Sequence, residues 1–207
     1  MEKEPNYLQD ISEIRNIMER SSKFLSLSGL SGVLIGTYAL IGAYAAYKVS
    51  YFSDQLIYPD IVRHRLSDNV ISLLLIGLTV LVLAVSTSFI LAHRKAKKQG
   101  EKIWDHKAKR LAVNLLLPLA TGGIFIVILF TKGLIGLIAP TTLIFYGLAL
   151  VNGSKYTYEE YRYLGIGEIV LGLIASYLIG YGLLFWALGF GVLHILYGAV
   201  MYFKYEK

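Results

Sequence analysis

The chain has 207 residues, 56% of them hydrophobic, and a formal charge of +6. A soluble domain of this length could not hide so much apolar surface from water, whereas a bilayer accommodates it when each spanning segment is a helix that satisfies its own backbone. The lack of cysteine excludes disulfides, thiolate metal sites and cysteine nucleophiles, and the positive charge is distributed by topology and gives no sign of nucleic-acid binding.

Residues 1–23 mix acids and bases. Asn6 and Gln9 resemble a capping box, and Tyr7, Ile11, Ile14 and Met18 recur at helical spacing. They predict an amphipathic cytoplasmic helix, lying on the inner leaflet or docking a protein partner or a second protomer. The apolar run that follows is span-length and not a short signal-peptide core, so the first span is expected to act as an uncleaved signal-anchor.

A span needs about 20 apolar residues. Six runs qualify, at about 24–47, 70–92, 111–131, 133–153, 164–181 and 185–203. They predict an all-α fold, a polytopic membrane helical bundle of six transmembrane helices over 24–204, with 205–207 as a cytoplasmic tail. In the first span, Ser28, Gly32 and Gly36 are spaced by four and form a small-residue face for close helix packing. Residues 48–69 form the longest external segment, expected to be a solvated loop or short surface helix, and no ligand spacing in it matches a metal motif. The third span holds Pro118 and the fourth Pro140. Each proline removes a backbone donor, so kinks are expected there, with Thr121, Thr141 and Thr142 placed to satisfy freed carbonyls. The link Thr131-Lys132-Gly133 is short enough for an antiparallel hairpin. Tyrosines crowd 156–163, and Tyr177, Tyr181, Trp186, Tyr202 and Tyr205 read as interfacial belts.

The run Leu164–Phe203 carries one formal charge, Glu168, and one histidine, His194, and is broken near Gly180. On the fifth span Glu168, Gly172, Ser176 and Gly180 share a small, polar face, and on the sixth His194 stands between Gly191 and Gly198. At 1.5 Å per residue, Glu168 lies roughly 6 Å and His194 roughly 15 Å from the same membrane face. Across that offset of about 9 Å the two side chains can meet directly, or through one water, if the fifth helix starts a turn earlier than Leu164. Ionisable groups at such depth are costly and mark a candidate polar site, Glu168 and His194 with Ser176 beside them. The bland alternative has Glu168 reaching back to the interface and a neutral His194 bonded to a helix carbonyl.

Arg94, Lys95, Lys97 and Lys98 open a basic loop, 94–110, able to hold anionic lipid headgroups. Placing that loop in the cytoplasm puts sixteen Lys/Arg inside and four outside, and six spans then put both termini inside as well. The predicted location is a bacterial inner membrane. There is no HExxH, GxSxG or Walker motif and no second deep histidine for a bis-histidine haem, so neither an enzyme nor a cofactor is predicted.

The stretches Met18–Phe24 running into Leu27–Gly32, Tyr38–Ala43, and Gly189–Gly198 through Lys204-Tyr205-Glu206 resemble uncharacterised multi-span inner-membrane proteins common in Bacteroidetes-type bacteria. The resemblance covers most of the chain and implies the topology, without supplying an activity or site residues. The first functional expectation is a non-enzymatic membrane protein for binding, sensing or assembly. The alternative is a small proton-linked transporter or channel working as an oligomer through Glu168 and His194, with Pro118 and Pro140 as flexible points.

Overall fold

The computed structural model describes Ile11, Phe24, 28–51, 68–98, Gly100 and 104–207. The amphipathic helix expected in 1–23 and most of the external segment 48–69 therefore lie outside the described residues. Among those described, every regular element is helical: α1 (Gly29–Tyr51), α2 (Asp68–Lys98), α3 (His106–Thr131), α4 (Ile138–Gly153), α5 (Glu160–Tyr177) and α6 (Gly182–Tyr205). Short 3₁₀ turns, Ile135–Leu137 and Ser154–Tyr156, flank α4. Within α6 the segment Ala187–Leu193 is wound as a π-helix.

Five helices, all but α5, are long and apolar enough to cross a membrane. The exception has a simple cause, since the 18 residues of α5 include Glu160, Arg162 and Glu168. Its outward face is nonetheless apolar, with Tyr163, Ile166, Val170, Leu173 and Tyr177 exposed. The starts of α1, α3 and α5 and the ends of α2, α4 and α6 share one end of the bundle, called here the basic end after Lys95, Lys97 and Lys98.

α1, α4, α5 and α6 form the packed centre. α1 lies along α6, and α4 packs closely on α5 and on the first part of α6. α2 packs on α1 and α3 on α4, so the two most apolar helices flank the bundle and expose long leucine and valine faces. In water such faces would drive aggregation, while in lipid they cost nothing. α2 also exceeds the expected span, because its 31 residues rise about 46 Å at 1.5 Å each. Its last turns carry part of what the sequence suggested was loop, and α3 is capped just beyond by Asp105, which accepts from Ala108 N–H at 2.8 Å.

Glycine contacts show which faces meet. A Cβ on Gly32 would lie 2.9 Å from Gly198 Cα, one on Gly36 2.5 Å from the Gly191 carbonyl oxygen, and one on Gly198 2.5 Å from the Val33 nitrogen. The small face of α1 is thus matched to Gly191 and Gly198 of α6, backbone against backbone. Ser28 departs from its expected place on that face. It precedes α1 and donates its hydroxyl to Glu206 Oε2 at 3.1 Å, while Gly29 N–H donates to Glu206 Oε1 at 2.8 Å. A carboxylate at a helix N-terminus satisfies otherwise unpaired donors and complements the helix dipole. Gly172 packs on α4, where its Cβ would meet Ile144 and the Pro140 carbonyl. Gly180 is not a packing residue at all. It sits in the α5–α6 turn at φ +110° with open space around it, a backbone that favours glycine.

The prolines differ from each other. Pro118 lies inside α3 and frees the Asn114 carbonyl one turn back. Thr121 does not serve that carbonyl, since it donates to Leu117 O. Asn152 of α4 donates to it at 3.0 Å and to Asn114 Oδ1 at 3.1 Å. Pro140 falls in the first turn of α4, just after a 3₁₀ turn, where a missing N–H breaks no intrahelical bond, so the kink expected inside that span is replaced by a helix start. Replacing Asn152 with alanine is expected to cost about 1–2 kcal/mol by stranding the Asn114 carbonyl. Adding Pro118→Ala should return most of it, because residue 118 then donates to Asn114 itself. Equal stabilities for the single and double variants in detergent unfolding would show that Asn152 does not play this part.

Candidate functional site

The structure brings Glu168 and His194 together. α5 begins at Glu160, a turn earlier than Leu164, and this raises Glu168 to the level of His194. Glu168 is 0% exposed and His194 3%. Of the glycines expected to line their meeting faces, Gly172 turns toward α4 and Gly191 and Gly198 toward α1, so those faces do not meet each other.

His194 is held from three sides. Its Nδ1 lies 3.1 Å from the Gly189 carbonyl oxygen and 3.3 Å from Glu168 Oε1, and its Nε2 lies 2.8 Å from the Tyr146 hydroxyl. A carbonyl oxygen only accepts, so Nδ1 carries a proton. Nε2 then accepts from Tyr146 when the ring is neutral and donates to it when the ring is an imidazolium. The Nδ1–H is aimed at Gly189, so the approach of Glu168 is a charge contact. Among the described residues, neither carboxylate oxygen of Glu168 has a hydrogen-bond partner.

The π turn makes this arrangement. Winding 187–193 at more than four residues per hydrogen-bonded ring turns the Gly189 carbonyl toward His194, five residues on. Gly189 also has to be glycine here, because a Cβ would run into Glu168 Oε2 and Leu143. Around the ring, Phe190 stacks on His194 at 5.8 Å and tilts on Tyr146 at 5.0 Å, and Trp186 tilts on Phe190 at 5.1 Å. Trp186 thus packs against a ring of its own helix, while Tyr177 and Tyr181 are exposed at the far end.

Ser176 does not join the pair. It lies two turns further along α5 and donates to the Gly172 carbonyl at 2.9 Å. Tyr146 does join it and escaped the sequence reading, which treated tyrosines as interfacial. The available signal was position, since Tyr146 lies seven residues inside the end of α4, too deep for a belt.

Two polar clusters close the basic end. Glu206 bridges Ser28, the α1 N-terminus and Lys95, whose Nζ is 3.1 Å from Oε1 and 5.7 Å from the Tyr158 ring centre. Lys95 is therefore drawn into the bundle, whereas Arg94, Lys97 and Lys98 remain exposed on the last turns of α2. Glu160 accepts from Lys204 Nζ at 2.5 Å and from Tyr205 at 2.8 Å. Burial pushes the Glu160 carboxyl up, but these two donors outweigh it and hold the group below the usual carboxylate range.

The chain matches no known protein family, no curated protein and no solved structure. The site has to be read from its own chemistry. Among the described residues, no three His, Asp or Glu side chains gather into a metal-binding group. What the geometry offers is a trio of acid, imidazole and phenol, with Glu168 and His194 buried and Tyr146 half-buried beside them.

Proposed function

We propose that the chain is a non-enzymatic six-span protein of a bacterial inner membrane, with α5 as the sixth span, that binds, senses or assembles through a protonatable centre formed by Glu168, His194 and Tyr146. The observation that carries this reading is the Glu168 carboxylate, fully buried with neither oxygen hydrogen-bonded. An ionised carboxylate in such surroundings is costly unless compensated. Glu168 can rest there only as a neutral acid or opposite an imidazolium at His194, so the centre stores a proton. The near-complete burial of both side chains argues against an enzyme, because no substrate reaches them from water or lipid. The sixteen-to-four division of Lys/Arg supports a cytoplasmic basic end, and the N-terminal segment would lie on that side as a lipid or partner contact. The resemblance to multi-span inner-membrane proteins agrees with this topology and adds no activity.

The unpartnered carboxylate also favours a second reading, a proton-linked transporter or channel acting as an oligomer. Proteoliposomes separate the two. With a pH gradient and a trapped pH dye, the first reading expects no protein-dependent proton flux. A flux abolished by Glu168→Gln or His194→Ala would replace it with the second.

A further inference from the structure

The surroundings of the Glu168–His194–Tyr146 centre differ sharply on its two sides. Toward the far end, α4 from Ile138 to Phe145, α5 from Ile169 to Ser176 and α6 from Gly182 to Leu193 contain no ionisable side chain. The space next to the centre on that side is filled by Leu143, which is fully buried, and by Phe190 and Trp186 packed ring on ring over His194. Toward the basic end lies Tyr161, seven residues before Glu168 and so on the same face of α5, about 10 Å along the axis. Between them on that face lies Leu164, which is buried, and beyond Tyr161 stand Glu160, its chain neighbour, and Glu206 at the bundle end. Glu160 and Glu206 are the carboxylates of the two clusters at the bundle end, and Glu160 Oε2 has no hydrogen-bond partner among the described residues.

Among the described residues, few groups face the centre. α4 contributes Tyr146, α5 contributes Glu168 with Tyr161 beyond it, and α6 contributes His194. Tyr197, a turn along α6, has Tyr163 as its electrostatic neighbour. α1 covers the other side of α6 with Gly32 and Gly36, and its nearest phenol, Tyr38, is occupied with Thr87 of α2 at 3.5 Å.

Resting on the reading of the centre as protonatable, we infer that it is a one-sided proton site: it exchanges protons with the basic, cytoplasmic end by way of Tyr161 and is sealed from the far end by Phe190 and Trp186, so that it reports cytoplasmic pH and conducts nothing. Loading is a binding equilibrium. One proton from water at the basic end adds to the Glu168–His194–Tyr146 unit, raises its charge by one and leaves by the same way, and only O–H and N–H bonds change. The output is the π turn. His194 Nδ1 stands between two acceptors, Gly189 O and Glu168 Oε1, at nearly equal distances. An ionised Glu168 competes strongly for that proton and a neutral one only weakly, so loading decides how firmly His194 holds the π turn. That turn carries Gly191, which bears on Leu40 of α1.

The test uses the full chain in sealed proteoliposomes, with Trp104→Phe so that Trp186, one residue before the π turn, supplies the fluorescence. Cysteine-free wild type allows Lys207→Cys labelling to fix which vesicles expose the basic end. A pH step applied to the basic end alone is expected to shift Trp186 emission, the same step at the far end to leave it unchanged, and Glu168→Gln to abolish the shift. Tyr161→Phe is expected to slow the shift while leaving its midpoint in place. A shift driven equally from both ends, or from the far end alone, would overturn the sidedness while leaving the protonatable centre intact. No shift from either end, together with no Glu168-dependent carboxyl band in infrared titration, would overturn the centre itself.

Discussion

Replacing Gly198 with leucine is expected to lower stability by about 3 kcal/mol or more, the upper range for overpacking. A Cβ at this position meets the Val33 nitrogen at 2.5 Å, the Gly29 carbonyl oxygen at 2.8 Å and the Gly32 carbonyl carbon at 2.8 Å. All three are backbone atoms of α1, which no rotamer change can move aside. α1 must retreat from α6 along its whole length. In lipid no hydrophobic drive holds helices together, so loss of close packing removes the main attraction between these two. The retreat should also unseat Glu206 from the α1 N-terminus and Leu40 from Gly191. Gly123, where a Cβ finds nothing within 4 Å, is the control. Gly123→Ala should change stability by less than about 0.5 kcal/mol. Denaturant titration of purified protein in mixed micelles measures both, and equal effects at 198 and 123 would contradict the crossing.

His194→Ala should cost about 3–5 kcal/mol at a pH where Glu168 is ionised, because it then leaves a buried carboxylate with no compensating group. The double variant Glu168→Leu/His194→Leu should recover most of that loss, since an apolar pair in an apolar bundle pays no desolvation. The sign of the coupling is the informative quantity. Two independent side chains would give additive losses, whereas a charge-compensated pair gives a double variant more stable than His194→Ala alone. Glu168→Gln should fall between, because it removes the charge and keeps the volume beside Gly189. Tyr146→Phe should cost only about 1 kcal/mol, one hydrogen bond to Nε2.

Much of the candidate site was legible from composition alone. In forty residues with one carboxylate and one imidazole, those two groups stand out, because burial in lipid penalises every other place for them. Their meeting was not legible. It depends on α5 starting at Glu160 and on a π turn at 187–193, which no periodicity in the glycine- and leucine-rich stretch announces. Tyr146 was hidden for a different reason. Tyrosine is so common at membrane interfaces that one lying a few residues deeper reads as another belt residue.

The small-residue faces show the same division. Gly32 and Gly36 on α1 and Gly191 and Gly198 on α6 are visible as faces because spacing by three, four or seven repeats on one side of any helix. Which face meets which is a property of the bundle. α6 gives Gly191 and Gly198 to α1 and its histidine to α5, and α5 gives Gly172 to α4.

By itself, then, the sequence determined the class of molecule. Runs of apolar residues long enough to cross a bilayer can only be helices there, since lipid offers no partner to an unpaired backbone group. It also marked the residues too costly to bury without a reason. The tertiary structure alone decided their partners. It gave the Asn114 carbonyl freed by Pro118 to Asn152 on the next helix, moved Ser28 off a packing face and onto Glu206, and set Glu168, His194 and Tyr146 around one point. The physical reason is that spacing along a helix sets direction, while contact between helices depends on where each one starts, how it is wound and which neighbour it lies against. None of these is a local property of the chain.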